Sequence, residues 1–287
     1  MKHILFILAL LVALVVLPQK PTHAAVAERL PDLAMAPLRD FQLEITPTQR
    51  RLLRFTAEIV NLGEGPFELA AQRASTGEQT MTQIQQHIID QVGNWRSTSI
   101  DTSMYFAGDG HLHWHVRDLE LYTLEAINSA TPVGISAKGG FCFSDNRPYQ
   151  TLANAPLAPV YTSCGKLNDL NVMMGLSVGW GDIYGANLPD QYIDVTDLPP
   201  GEYRLRAIAD PKHLFVEQDA TNNTTTIVLK LSENAVQAFA NAVYLLLTSE
   251  ESSQQNAPQI NADQHRYSSL LGSSAFICGY KLYSKEQ

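Results

Sequence analysis

"LLRFTAEIVNLGEGPFELA", residues 52–70, decides the fold class. Phe55, Ala57 and Ile59 fall on one face of an extended chain, and Arg54, Thr56 and Glu58 fall on the other. Strict alternation of this kind is the period of a β-strand. "NLGEG" carries turn residues, after which "FEL" resumes the alternation, so the stretch reads as a hairpin. Outward from it the same signal recurs. "FQLEI" (41–45), "HLHWHV" (111–116), "LELYTL" (119–124), "GGFCFSD" (139–145) and "TTTIVLKL" (224–231) read as strands, and "QYIDVTDL" (191–198) and "EYRLRAIA" (202–209) flank the turn "PPG". Many short strands with frequent turns predict an all-β chain with an antiparallel β-sandwich core.

Three segments break the pattern. Residues 71–100 are polar, and Ile84, Ile88 and Val92 stand four apart, as on a short helix. A long Gly-, Pro- and Asn-rich connection runs from about Asn146 to Asp190. From Ser232 the character changes. "ENAVQAFANAVYLLL" (233–247) puts Val236, Phe239, Val243 and Leu246 or Leu247 at helical spacing, followed by the linker "SSQQNAPQ" (252–259). The expected organisation is a signal peptide at 1–24, a β-sandwich domain at 25–231, and an appendage at 232–287 with one amphipathic helix.

The first residues read as an export signal. "MKH" is positive, residues 4–17 are unbroken apolar, and the small residues of "PTHAAVA" suit cleavage after Ala24 or Ala27. The competing reading is an uncleaved anchor, but the run is short for a membrane span. No later stretch is apolar enough to cross a bilayer. The expected protein is exported, to a periplasm or to the exterior, with no stable membrane insertion. Removing residues 1–24 takes Lys2 and Lys20 and no acid, so the formal net charge falls from −9 to −11. Such a surface repels nucleic acid and attracts cations. Of the three cysteines, Cys142 and Cys164 enclose a modest loop and are the expected disulfide, leaving Cys278 over.

"GDGHLHWHVRD" (108–118) carries the chemistry. His111, His113 and His115 alternate, so a strand would line them on one face while Leu112 and Trp114 fill the core. The outer pair would stand about 13 Å apart in a flat strand. Gly108 and Gly110 make the bending that brings them together cheap. Three neutral imidazoles with open positions suit Cu(II), Zn(II) or Fe(II); in an oxidising compartment and without a carboxylate, copper ranks first and zinc second. Continued unbroken, the strand would turn Leu119 and Leu121 onto the histidine face, which a bulge near Arg117 would relieve. His87, His213 and His265 are isolated and read as surface or locally satisfied groups.

"GDGHLHWHVRDLELYTL" resembles the copper-binding segment of the lysyl oxidase family. "SAKGGFCFSD" (136–145) is similar to the family segment that supplies a cofactor lysine just ahead of a cysteine. The stretch from "GLSVGWGDIYGANLPDQ" to "TTTIVLKL" resembles the family's carboxyl-terminal half. The likeness covers roughly residues 30–231, and the few cysteines and compact lead-in look like bacterial-type members. It implies a copper-dependent amine oxidase, with His111, His113 and His115 on the metal. Lys138 and Tyr184 would form a lysine tyrosylquinone, with Asp182 as general base. Cys142 and Cys164 fall where the family pairs its cysteines. The implied partners are O2 and a primary amine, either a small one or lysine side chains of an exported protein. The chemistry has its own logic: amine oxidation needs an electron sink, which the ordinary side chains lack, and a carboxylate to remove the α-proton. The readings from other classes are a non-catalytic exported metal-binding or adhesion module, because fold alone does not fix function, and a zinc hydrolase.

Overall fold

The computed structural model describes residues 26–239 apart from 109–111 and 137. These residues are all-β, with no α-helix among them. Their strands form four antiparallel sheets whose inward side chains share one core. That is the β-sandwich class expected. The expected signal peptide lies outside the described residues, and no helix within them is long and apolar enough to cross a membrane.

The strand Gly201–Ala209 shows why the chain folds this way. Tyr203, Leu205, Ala207 and Ala209 are buried, while the residues between them are more exposed. It lies between Glu120–Ala126 and Thr224–Leu231, with Pro132–Ile135 and Val236–Phe239 at the two edges. The strand Arg51–Asn61 is instead covered on both faces. Leu53, Phe55, Ala57 and Ile59 enter the core. On the other face Glu58 is fully buried and accepts hydrogen bonds from Arg39 (3.1 Å) and Arg147 (2.8 Å). Two guanidinium groups offset the cost of removing that carboxylate from water. Residue 181, opposite Val60, must be glycine, since a Cβ there would lie 2.4 Å from the Glu58 Oε1 atom.

The expected hairpin at 52–70 does not form. Arg51–Asn61 pairs in one sheet and Phe67–Gln72 in another, so "NLGEG" is a crossover between sheets. The reason is Asn61. Its buried amide oxygen accepts from the backbone N–H of Asp32 (3.0 Å) and Gly63 (3.1 Å). Its amide nitrogen donates to the carbonyls of Gly65 (3.0 Å) and Leu176 (2.9 Å). One side chain thus ties the turn to two backbone segments distant in sequence.

The short helix expected at Ile84–Val92 is also overturned. Gln83–Asp90 is a strand, and Ile84, Gln86 and Ile88 are its inward face. A spacing of four is two strand repeats as well as one helical turn, and the even period wins because the intervening Gln86 is buried too. Its amide bonds both backbone groups of Val216, at 2.7 and 2.8 Å. Val92 sits exposed in the following turn. The connection expected at Asn146–Asp190 holds the strands Arg147–Pro148, Asn171–Leu176 and Trp180–Tyr184. Val236–Phe239, expected to open the carboxyl-terminal helix, is a strand against Val228–Leu231, and the rest of that helix lies outside the described residues. The disulfide joins Cys142 to Cys164 as expected.

Asn61→Ala strips four buried backbone groups of their partner. The expected cost is about 3 kcal/mol of unfolding free energy, read by urea denaturation; a loss below about 1 kcal/mol would show that the crossover is held by something else.

Candidate active site

The histidine segment is less regular than a strand. Trp114–Arg117 is the strand, paired with Met104–Phe106 on one side and Gly140–Phe141 on the other. His113 precedes it, and Leu112 before that adopts φ 54° and is 69% exposed. Leu112 therefore does not fill the core, as alternation implied. Trp114 does: it is fully buried, its indole N–H donates to the Lys166 carbonyl at 2.9 Å, and the Arg73 guanidinium lies 4.7 Å from its ring centre. The expected bulge is a break. The strand ends at Arg117, Asp118 takes φ 61°, and Glu120–Ala126 resumes in a different sheet.

His115 is fully buried and His113 half-buried. Their Nε2 atoms stand 2.9 Å apart. Imidazole nitrogens bind a first-row divalent ion at about 2.0–2.1 Å, so a pair this close fits two ligands subtending roughly a right angle at one ion. The irregular backbone at His113 thus brings together rings that a flat strand would hold further apart. Tyr105 packs edge-on to the His115 ring at 5.7 Å. That phenol fits because residue 140 is glycine: a Cβ would meet its ring at 2.6 Å. His111 lies outside the described residues.

Tyr184 ends the strand Trp180–Tyr184 and is buried. Its hydroxyl accepts from the Cys142 backbone N–H at 3.0 Å and donates to the Cys142 carbonyl. The disulfide to Cys164 therefore also fixes the backbone that grips the phenol. Lys138 is only 7% exposed. Its Nζ lies 4.6 Å from the Tyr184 ring centre and 5.1 Å from that of Phe141. The sequence-predicted lysine and tyrosine, 46 positions apart, are thus brought together.

Asp182 precedes Tyr184 by two and shares its face of the strand. It is buried and accepts from the Asn146 side chain, whose oxygen takes the Ile183 N–H at 2.9 Å. Burial, then the nearby Glu120 charge, pushes its carboxyl well above the usual carboxylate range, against hydrogen bonding from Tyr184 and the charge of Lys138. Burial likewise holds the Tyr184 phenol well above its ordinary value. The set can bind a cation or move a proton in a place from which water is largely excluded.

Sequence reading missed Glu120, Tyr122 and Gln191. Glu120 is buried and accepts from the Tyr122 hydroxyl, and Gln191 is fully buried near the same phenol. Burial raises Glu120 to about 7, opposed by Tyr122 and Lys138. The signal was the acid in "LELYTL", a lone charge in an apolar strand whose partners alternation does not reveal. Of the isolated histidines, His87 is locally satisfied by Glu68 at 2.7 Å, His213 sits at φ 52° in a turn, and His265 lies outside the described residues.

Residues 99–241 match the lysyl oxidase family model. Lysyl oxidase homolog 2 of Gallus gallus is 28% identical over 181 residues, covering 62% of this chain and 18% of its own. Lysyl oxidase homolog 3A of Danio rerio is 28% identical over 175 residues, covering 61% and 18%. Lysyl oxidase homolog 3 of Homo sapiens is 26% identical over 174 residues, covering 61% and 18%. The match thus spans less than a fifth of the length of these curated relatives.

The raised Glu120 carboxyl makes a pH prediction. The folded state holds its proton to about pH 7, whereas the unfolded chain releases it near 4.5, so stability falls as pH rises between those values. Glu217, also raised to about 7 by burial, adds to the same slope. Glu120→Gln should make the fall in unfolding free energy from pH 4.5 to 7 shallower, by up to about 1.4 kcal/mol per pH unit; an unchanged slope would show Glu120 ionised in the folded state.

Proposed function

Since this chain belongs to the lysyl oxidase family, we propose that it is a copper-dependent amine oxidase. It converts a primary amine, O2 and water to an aldehyde, hydrogen peroxide and ammonia. The observation that carries this reading is the Lys138 Nζ atom buried 4.6 Å from the centre of the Tyr184 ring. A zinc hydrolase or an adhesion module has no use for an amine in that place.

The residues fit both groups the reaction needs. His113 and His115 aim nitrogens at a common point, and His111 would complete the copper ligands. Lys138 and Tyr184 would supply the atoms of a lysine tyrosylquinone. Together, copper and that quinone provide the electron sink that ordinary side chains lack and pass the electrons to O2.

The rest falls to the chain's own groups. Phe141 stacks edge-on to Tyr184 at 5.1 Å and limits where its ring can turn. The Cys142 backbone holds the phenolic oxygen, and the Lys138 Nζ atom lies over the face of the ring. Asp182 takes the α-proton of the substrate, and the charge of Lys138 favours the carboxylate form that this requires. Asn146 holds that carboxylate in place. Copper requires neutral imidazoles, so low pH would weaken the metal site. The substrate class is a primary amine, either small or the side chain of lysine in an exported protein, with the enzyme acting in the periplasm or outside the cell.

Mass spectrometry of the copper-loaded protein should find the peptides bearing Lys138 and Tyr184 covalently joined, and phenylhydrazine should react with the visible chromophore. Tyr184→Phe should lose the link and all peroxide release while binding copper like the parent; undiminished peroxide from that variant refutes the assignment. His113→Ala should lower bound copper and peroxide together, and a variant that keeps both removes His113 from the metal site.

A further inference from the structure

A second cavity lies apart from the residues assigned to amine oxidation. It is about 320 Å³ in volume, and its walls include Trp95, Tyr161, Pro66, Pro156 and Val178, with Glu68 among them. Trp95 is 49% exposed, so the cavity opens to solvent beside an indole. Its size reaches the lower range of small-molecule sites.

A carboxylate lies inside it. Glu68 is largely buried; Oε1 meets His87 Nδ1 at 2.7 Å, and Oε2 accepts from the Tyr161 hydroxyl at 2.6 Å. A carboxylate only accepts, so Nδ1 carries the hydrogen. Behind Tyr161 lies a second buried acid, Asp145. It accepts from the backbone N–H of Val160 (2.8 Å), Tyr161 (3.1 Å) and Ser177 (2.7 Å), and from the Ser177 hydroxyl (2.7 Å). Those bonds fix the segment that walls the cavity.

Two other buried acids meet guanidinium groups: Glu58 with Arg39 and Arg147, and Glu125 with Arg204 and Arg206. Among the described residues neither Glu68 nor Asp145 has a lysine or arginine within ion-pair distance, and the basic neighbour of Glu68 is His87. A carboxylate without lysine or arginine beside it, in a cavity walled by an indole and a phenol, presents a site for a cation. An alkylammonium ion satisfies it, setting its charge on the carboxylate and ring faces and its chain against the prolines and valine.

We propose that this cavity is a binding site for an alkylammonium group, separate from the site of oxidation. None of its residues is assigned to copper, to the quinone or to proton transfer, so the inference stands or falls apart from the oxidase reading.

The test is a titration of the full-length protein with n-butylammonium, followed by the indole N–H resonance of Trp95, identified by its loss in Trp95→Phe. A saturable shift with a dissociation constant on the order of 1 mM is expected for so small a ligand. 1-Butanol, similar in shape and uncharged, should bind at least tenfold more weakly. Glu68→Gln should weaken n-butylammonium at least tenfold. Equal response to the alcohol, no saturable shift, or unchanged affinity in folded Glu68→Gln would each overturn the proposal; the alcohol comparison decides it should that variant fail to fold.

Discussion

An amine pressed against a phenol, inside a β-protein and largely out of water, is the arrangement on which the site depends. Burying a lysine without acidic neighbours is costly enough that the group tends to shed its charge. Here the interior supplies two carboxyl groups whose electrostatics involve Lys138: Glu120, bound by Tyr122, and Asp182, bound by Asn146. Burial drives both acids toward their protonated forms, and Lys138 opposes that drive. The cluster is therefore a set of coupled groups able to hold and pass protons. A fold under selection for stability alone would gain by replacing it with apolar side chains of similar volume.

The same economy explains the arrangement of strands. The members of the cluster come from three places in the topology. Glu120 and Tyr122 stand on the strand paired with Gly201–Ala209, and Asp182 and Tyr184 on the strand paired with Arg51–Asn61. Lys138 lies in the short segment between Pro132–Ile135 and Gly140–Phe141, which belong to two further edges. A site assembled across sheets needs chain crossovers, and Asn61 makes one of them by serving four backbone groups at once. Tyr122, Phe141 and Tyr184 then meet edge to face in a continuous row, at 5.9 and 5.1 Å. Such contacts favour defined ring orientations.

How much of this was legible follows from which signals are local. Alternation gave the all-β class, because a period of two is written in neighbouring residues. It could not say whether successive strands share a sheet, so "NLGEG" read as a hairpin when the decisive bonds run from Asn61 to Asp32 and Leu176, far away in sequence. It also could not separate a helix from a strand at Ile84 and Ile88, since four is even; the deciding partner, the Val216 backbone, is 130 residues away. The histidines announced a metal by their residue type, but their geometry depends on the irregular backbone around Leu112 rather than on alternation. Lys138 and Tyr184 were found by family likeness, because nothing in their immediate neighbours distinguishes a reactive pair from a surface lysine and a packed ring. Glu120 escaped because a lone acid in an apolar strand does not reveal what it will meet, and one residue in the left-handed region at Asp118 moves the following strand to another sheet.

That reset is also what separates the histidine stretch from the acid-bearing one. Trp114–Arg117 belongs to the sheet containing Gly140–Phe141, and Glu120–Ala126 belongs to the sheet containing Gly201–Ala209. Had the strand run straight, Glu120 would have pointed with Trp114 and Val116, and the face bearing His113 and His115 would have continued into Leu119 and Leu121. Turning the chain at Asp118 buries Leu119 in the core and leaves Glu120 free to meet Tyr122 within the cluster. The kink is thus the point at which one continuous stretch of sequence passes from one sheet to another.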